Sequence, residues 1–256
     1  MRMRKRHNLQ PRMERCAEYL VSDPAALKGR WKTDGRSLLL EIGCGKGSFT
    51  CALAEQETGS EIVAVEKVPD AMILAMERAS AANLKNIRFL DFDAADLREI
   101  FAPEEVSRIY LNFSDPWPKS RDAKFRLTAP AFLRTYADLL PVGGDVHMKT
   151  DNRPLFEWSL QQFENENWSI RETTFDLHAA GPVGILSDYE KRFLEQGVPV
   201  CALVAVRRTD TLNGSAGIPP RLRDAALSDA RGNNSQTVPC DLENRNAPGP
   251  EGETKR

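Results

Sequence analysis

The chain has 256 residues, 41% hydrophobic and 28% charged, enough for one large folded domain or two small ones. Its 35 Lys and Arg against 37 Asp and Glu give a net charge of −2, which as a total argues against a strongly basic nucleic-acid binder and against an acidic disordered chain. No apolar run approaches the roughly 18–20 residues of a bilayer span, and the basic start leads into no apolar stretch of the signal-peptide kind, so neither a membrane partner nor secretion is expected. Cys16, Cys44, Cys51, Cys201 and Cys240 are scattered, with no C-x-x-C pair. That favours a reducing cytoplasm and speaks against a disulfide framework or a structural metal.

The charge is unevenly placed. Residues 1–36 hold ten Lys and Arg against four acids, a local charge of +6. Arg2, Arg4, Lys5 and Arg6 open this basic arm and are candidate phosphate contacts, because releasing condensed counterions favours such binding.

Residues 37–208 read as one α/β domain. Ser37–Ile42 is a near-continuous apolar run, the pattern of a strand buried on both faces. A helix over 48–57 and a strand over 61–65 follow. Pro69 sits where a helix would start, and 71–82 has helical apolar spacing. Strands are predicted over 86–90, 108–113 and 144–148, with helices over 128–140 and 153–166 flanking the last. A strand over 169–175, a helix over 188–196 and an apolar strand over 198–206 complete the series. Such alternation predicts a doubly wound, mostly parallel Rossmann-like sheet with helices on both faces. Residues 209–256 are rich in Gly, Pro, Asn and Ser, and read as a disordered tail with at most a short helix near 221–230.

The first strand ends in Glu41-Ile-Gly-Cys-Gly-Lys-Gly47. Closely spaced glycines permit a tight turn and a close backbone approach to a ligand. The spacing does not supply a P-loop, and Ser48 occupies the third-glycine position of the dinucleotide fingerprint. Gly43, Gly45 and Gly47, with Glu41 two places earlier, instead form the G-x-G-x-G pattern of S-adenosylmethionine-dependent methyltransferases. Glu66, about 20 residues past the loop, is placed to accept ribose hydroxyls, and Asp93, after the third strand, to accept an adenine amino group. Three acids at three strand ends favour adenosylmethionine over a nicotinamide cofactor.

After the fourth strand comes Asn112-Phe-Ser-Asp-Pro-Trp-Pro-Lys119, where two prolines stiffen the chain beside the presumed site. Asp115 there can accept hydrogen bonds from a base edge. Trp117 can stack on a base or anchor the core. Arg121, Lys124 and Arg126 extend a basic patch that only Asp122 opposes, and they are further candidate phosphate contacts. His7, His147 and His178 are not clustered and take no catalytic role.

With Lys149-Thr-Asp-Asn152 and the opening Met1-Arg-Met-Arg-Lys-Arg, these motifs resemble the bacterial tRNA (guanine-N7-)-methyltransferase family over about residues 1–208. The resemblance implies methyl transfer from adenosylmethionine to N7 of the guanine numbered 46 in the tRNA variable loop. It assigns Glu41, Glu66, Asp93 and Asp115 to the cofactor, and Asp115 to the active site as well. It places Lys119, Asp151 and the segment Ser187, Asp188, Tyr189 and Glu190 at the substrate. It implies tRNA as partner and leaves monomer and homodimer open. Three positions depart from the pattern: Ser187 stands for Thr, Asp122 for a common His, and Phe125 for a common Arg or Lys. Another Rossmann-type RNA or nucleobase methyltransferase, a NAD-dependent oxidoreductase and a silent tRNA binder are the alternatives.

Overall fold

Apolar runs such as Leu38-Leu-Leu40 and Ile62-Val-Ala-Val65 build the centre of the sheet. The computed structural model describes residues 8–32, 35–209 and 211, all within the compact unit Met1–Ala216. The chain runs α1 (Leu9–Arg15), β1 (Ser37–Ile42), α2 (Ser48–Gln56), β2 (Ser60–Val65), α3 (Pro69–Ala81), β3 (Ile87–Leu90) and α4 (Leu97–Ile100). It continues through β4 (Arg108–Asn112), α5 (Pro130–Leu139), β5 (Asp145–Thr150), α6 (Arg153–Asn165), β6 (Ser169–Thr174), α7 (Asp188–Gln196) and β7 (Cys201–Val206).

The seven strands lie in the order β3-β2-β1-β4-β5-β7-β6. The first five are parallel, and β7 inserts antiparallel between β5 and β6. One core layer packs α4, α5 and α6 on the sheet through residues such as Leu97, Leu133 and Phe156. The other packs α2 and α3 through Phe49, Met72 and Met76. Burying about 25 cal/mol per Å² of apolar surface on both faces is what makes the strands read as continuous apolar runs.

The predicted elements are found with small boundary shifts, each of local origin. Pro69 occupies the first helical position of α3, where its missing N–H costs nothing. The fourth strand stops at Asn112 because Phe113 turns to φ 53. The strand expected from 198 begins at Cys201. The four-residue α4 was not legible, being too short for a periodic signal.

Part of the basic start is structural. Arg12 holds Glu77 of α3 with Nε and Nη2 at 2.7 and 2.6 Å, fastening α1 to the body. Arg2, Arg4, Lys5 and Arg6 lie outside the described residues, as do 212–256, which include the helix expected near 221–230. Cys16, Cys44, Cys51 and Cys201 are buried free thiols. No helix among the described residues is long and apolar enough to cross a membrane.

Candidate active site

Strand order reverses between β1 and β4, and ligands in doubly wound sheets bind beyond the carboxyl ends of the strands at such a point. A cleft of about 560 Å³ lies there, lined by the glycine loop, Glu66, Asp93, the loop after β4 and the start of α7.

The glycine loop forms one wall. Gly43, Gly45 and Gly47 have φ of 81, 56 and 71, a region that side chains with a Cβ rarely adopt. At Gly47 space also decides, since a Cβ would sit 2.5 Å from that of Ala75. At Gly43 and Gly45 a Cβ would meet nothing within 4 Å, so the backbone faces open space. The Gly45 N–H donates to Glu66 Oε2 (2.9 Å) and the Val68 N–H to Oε1 (2.9 Å), which ties the loop to the end of β2. Asp93 caps a single 3₁₀ turn by accepting from the Ala95 N–H at 3.0 Å. Both residues line the cleft, and their carboxylates keep acceptor capacity that these hydrogen bonds do not use.

Glu41 is only 2% exposed. It accepts from the Thr50 hydroxyl through Oε2 and from Asn112 Nδ2 through Oε1 at 3.0 Å. Burial pushes its carboxyl up to about 7, although both hydrogen bonds favour the charged form. The Asn112 contact joins the end of β4 to the glycine-loop strand. Its amide is a site residue that sequence reasoning left unassigned, although it opens the quoted proline-rich motif.

The loop after β4 forms the facing wall. Asp115 is exposed and lines the cleft. Phe113 and Trp117 flank it at φ 53 and 42, values that cost an aromatic residue of order 1–3 kcal/mol and persist only where the surroundings impose them. The Phe113 N–H donates to the Lys149 carbonyl at 2.9 Å, and Arg126 braces the Trp117 turn. Its Nε donates to the Pro116 carbonyl at 3.0 Å, its Nη2 to the Trp117 carbonyl at 3.0 Å, and its guanidinium lies 4.4 Å over Trp158. Arg126, expected at a phosphate, is partly buried and its guanidinium braces the loop. Lys119, Arg121 and Lys124 remain exposed on the outer surface. Trp117 belongs to neither core cluster and faces the cleft, so it is not a core anchor.

The start of α7 closes the third side. Ser187 and Glu190 form a capping box, at 3.1 Å for Glu190 N–H to the Ser187 hydroxyl and 2.8 Å for Ser187 N–H to Glu190 Oε2. Glu190 is fully buried, pairs with Lys149 Nζ at 2.7 Å, and has His178 Nε2 3.4 Å from the same oxygen. Lys149 Nζ also donates to the Ile185 carbonyl at 3.0 Å. Glu190 thus holds the segment in place from beneath, whereas Ser187, Asp188 and Tyr189 line the cleft. The Asp188 N–H donates to the Ser48 hydroxyl (2.9 Å), and the Asp188 carboxylate pairs with Arg78 (2.9 Å). Ser48, the departure from the dinucleotide fingerprint, is therefore the clasp between the first and third walls. Lys119 and Asp151 are exposed and are not among the residues lining this cleft.

A glycine turn open to the cleft, acids at the ends of β1, β2 and β3, and antiparallel β7 in this strand order define a Rossmann-like methyltransferase. The structural comparison agrees on the fold. The crystal structure of the 16S rRNA methyltransferase KamB superposes with a TM-score of 0.54 at 18% identity, over 72% of this chain and 91% of that one. An antibiotic-related methyltransferase gives 0.52 at 16% identity, over 70% and 89%. A family model described as "Putative methyltransferase" matches residues 35–203. The tRNA (guanine-N(7)-)-methyltransferase of Lachnoclostridium phytofermentans is 43% identical over 75% of this chain and 92% of its own length. The protein of that name from Brevibacillus brevis is 44% identical over 69% and 85%. The chain belongs to the tRNA (guanine-N(7)-)-methyltransferase family, and its cofactor is S-adenosylmethionine. The cleft suits that molecule: open backbone at Gly43 and Gly45 beside acceptors for hydroxyl and amino groups at Glu66 and Asp93.

Proposed function

We propose that the protein methylates N7 of the guanine at position 46 of tRNA, in the cytoplasm, with Asp115 as the residue that holds the base. The observation that carries this reading is that Asp115 opens into the same cleft as the glycine loop, on a backbone pinned by Arg126. The names of the relatives support the substrate.

Glu66 would hold the ribose hydroxyls of adenosylmethionine, Asp93 its adenine amino group, and the Gly43–Gly45 backbone its amino-acid end. When bound, the cofactor supplies a methyl group on a sulfonium centre. Guanine N7 is an acceptor with a free lone pair, so no proton leaves it before attack and no strong base is required. Asp115 accepts from the guanine N1–H and exocyclic amine and fixes the orientation of N7. Positive charge develops on the ring as N7 is alkylated. The hydrogen bonds to a carboxylate then strengthen, so Asp115 favours the transition state over the ground state. Phe113, Trp117 and Tyr189 present aromatic surface around the cleft and limit water there. Lys119, Arg121 and Lys124 face the RNA backbone, and Asp151 holds the substrate near the end of β5.

Incubation with unmodified tRNA and labelled adenosylmethionine, then chemical cleavage at N7-methylguanine, tests the reading. Cleavage in the variable loop is expected. A folded protein that binds adenosylmethionine and yields none would overturn it.

A further inference from the structure

Among the described residues, the exposed large hydrophobic side chains are Val68, Phe125, Val142, Val183 and Tyr189. Of these, Val68, Phe125 and Tyr189 line the cleft. Phe125 is the least expected. It ends a 3₁₀ segment of otherwise polar and small residues, Ser120–Phe125, is 48% exposed, and belongs to neither core cluster. A lone half-exposed aromatic is common on protein surfaces and by itself marks no site, so a ligand-facing role needs a further reason.

Its neighbours supply one. The ring lies 5.2 Å from that of Trp117 at 49°, and Lys124 Nζ sits 5.1 Å from its centroid. Trp117 is held at φ 42 by the hydrogen bonds of Arg126 to the backbone around it. The pair is therefore a preset aromatic surface lining the cleft, with Trp117 two residues and Phe125 ten residues beyond Asp115. Lys124 stands beside it, and Lys119 and Arg121 are exposed on the same segment of chain; the acid Asp122 lies 3.8 Å from Arg121 and offsets that charge in part. Aromatic rings interleaved with exposed cations match an unpaired nucleotide, whose base stacks while its phosphate meets the cation. An apolar peptide would leave those cations without partners.

Resting on the substrate reading above, we propose that the Trp117–Phe125 pair is a stacking ledge for the unpaired base next to the target guanine, with Lys124 at its phosphate. The ledge is distinct from the contact Asp115 makes. It selects RNA in which the neighbouring base is free to leave its own stack.

Equilibrium binding of unmodified tRNA to wild type, Phe125→Ala, Phe125→Leu and Phe125→Trp tests the ledge, with adenosylmethionine affinity and melting temperature as controls. Phe125→Ala and Phe125→Leu are expected to weaken tRNA binding about 5- to 100-fold, the range for losing one base–aromatic stack. Phe125→Trp should keep it. The salt dependence of binding should not change in any of the three, because no charge is removed, whereas Lys124→Ala should lower its slope by about 0.7–0.9. Transcripts abasic at position 45 or 47 complete the test. On one of them, wild type and Phe125→Ala should bind equally, since the stacking partner is gone. Equal tRNA affinity of wild type and Phe125→Ala would overturn the ledge, as would an unchanged Phe125→Ala defect on both abasic transcripts. Full affinity in Phe125→Leu would do the same, by showing that bulk rather than a ring face matters. Failure of wild type to methylate tRNA would instead strike the substrate reading, so the two failures are distinguishable.

Discussion

The two sides of the cleft are held by different physics. The wall proposed for the cofactor is made of backbone: three glycines at positive φ, an N–H of the loop on Glu66, and short turns after β1, β2 and β3. The wall proposed for the substrate is held by side chains from distant parts of the chain. Arg126 braces the loop after β4, and Lys149 on β5 holds Glu190 on α7. Ser48 clasps Asp188 across 140 residues. A backbone-built wall tolerates change in most side chains, whereas a side-chain-built wall fails one contact at a time.

Removing Lys149 should separate the walls most strongly. Lys149→Met leaves Glu190 buried without its cation, a class of change that costs about 3–5 kcal/mol. Thermal unfolding should shift down by roughly 10 °C in a domain of this size. An unshifted melting curve would show that the substrate wall does not depend on this pair. Asp115→Asn comes next. Turnover should fall about 100-fold or more with the melting temperature unchanged, because an amide cannot accept from both guanine donors; near-normal turnover would remove Asp115 from its role.

The cofactor wall has its own signature in pH. Glu41 in the folded protein titrates near 7, above its ordinary 4.5, so the folded state binds more protons than the unfolded chain between these values. Stability is then fully present below about 4.5 and falls as pH rises through 7, by roughly 3 kcal/mol for this group, most of it between pH 5 and 8. Denaturant unfolding of the cofactor-free protein at pH 5 and 8 checks it. The loss should be that much smaller in Glu41→Gln, and equal losses in the two proteins would contradict the buried, raised carboxyl.

Loosening the brace is a gentler change. Arg126→Ala frees the Trp117 carbonyl and should reduce turnover about 10-fold while adenosylmethionine affinity stays, since the contact lies on the substrate wall. If cofactor affinity falls equally, the two walls are one unit. The smallest effect is expected for Arg121→Ala. It is exposed, so its loss should lower the salt slope of tRNA binding by about 0.7–0.9 and affinity only a few-fold.

Legibility in the sequence follows the same division. The strand ends, Glu41, the glycine turn, Glu66 and Asp93 are local features, each set by a few consecutive residues and the order of strands. The motif Lys149-Thr-Asp-Asn152 was visible, but its content was not. The Asn152 side chain caps α6 and Thr150 accepts the Asn152 N–H, while Lys149 alone reaches across to α7. No local signal marked it: β5 reads Asp145-Val-His-Met-Lys-Thr150, and a lysine among other polar residues does not announce a buried acid on a distant helix. Arg126 shows the opposite case. In sequence it is one more cation of a basic run, and only tertiary packing against Trp158 and the Trp117 carbonyl turns it inward.

The sequence by itself determined the class of fold, the position of the glycine turn and the identity of the exposed acid that shares its cleft. These depend on apolar periodicity and on backbone conformations that few residues allow. Tertiary structure alone decided which charges are tools and which are struts. A guanidinium or carboxylate takes its role from what lies within about 3 Å of it once the chain has folded, and residues 78, 48 and 149 meet α7 only then.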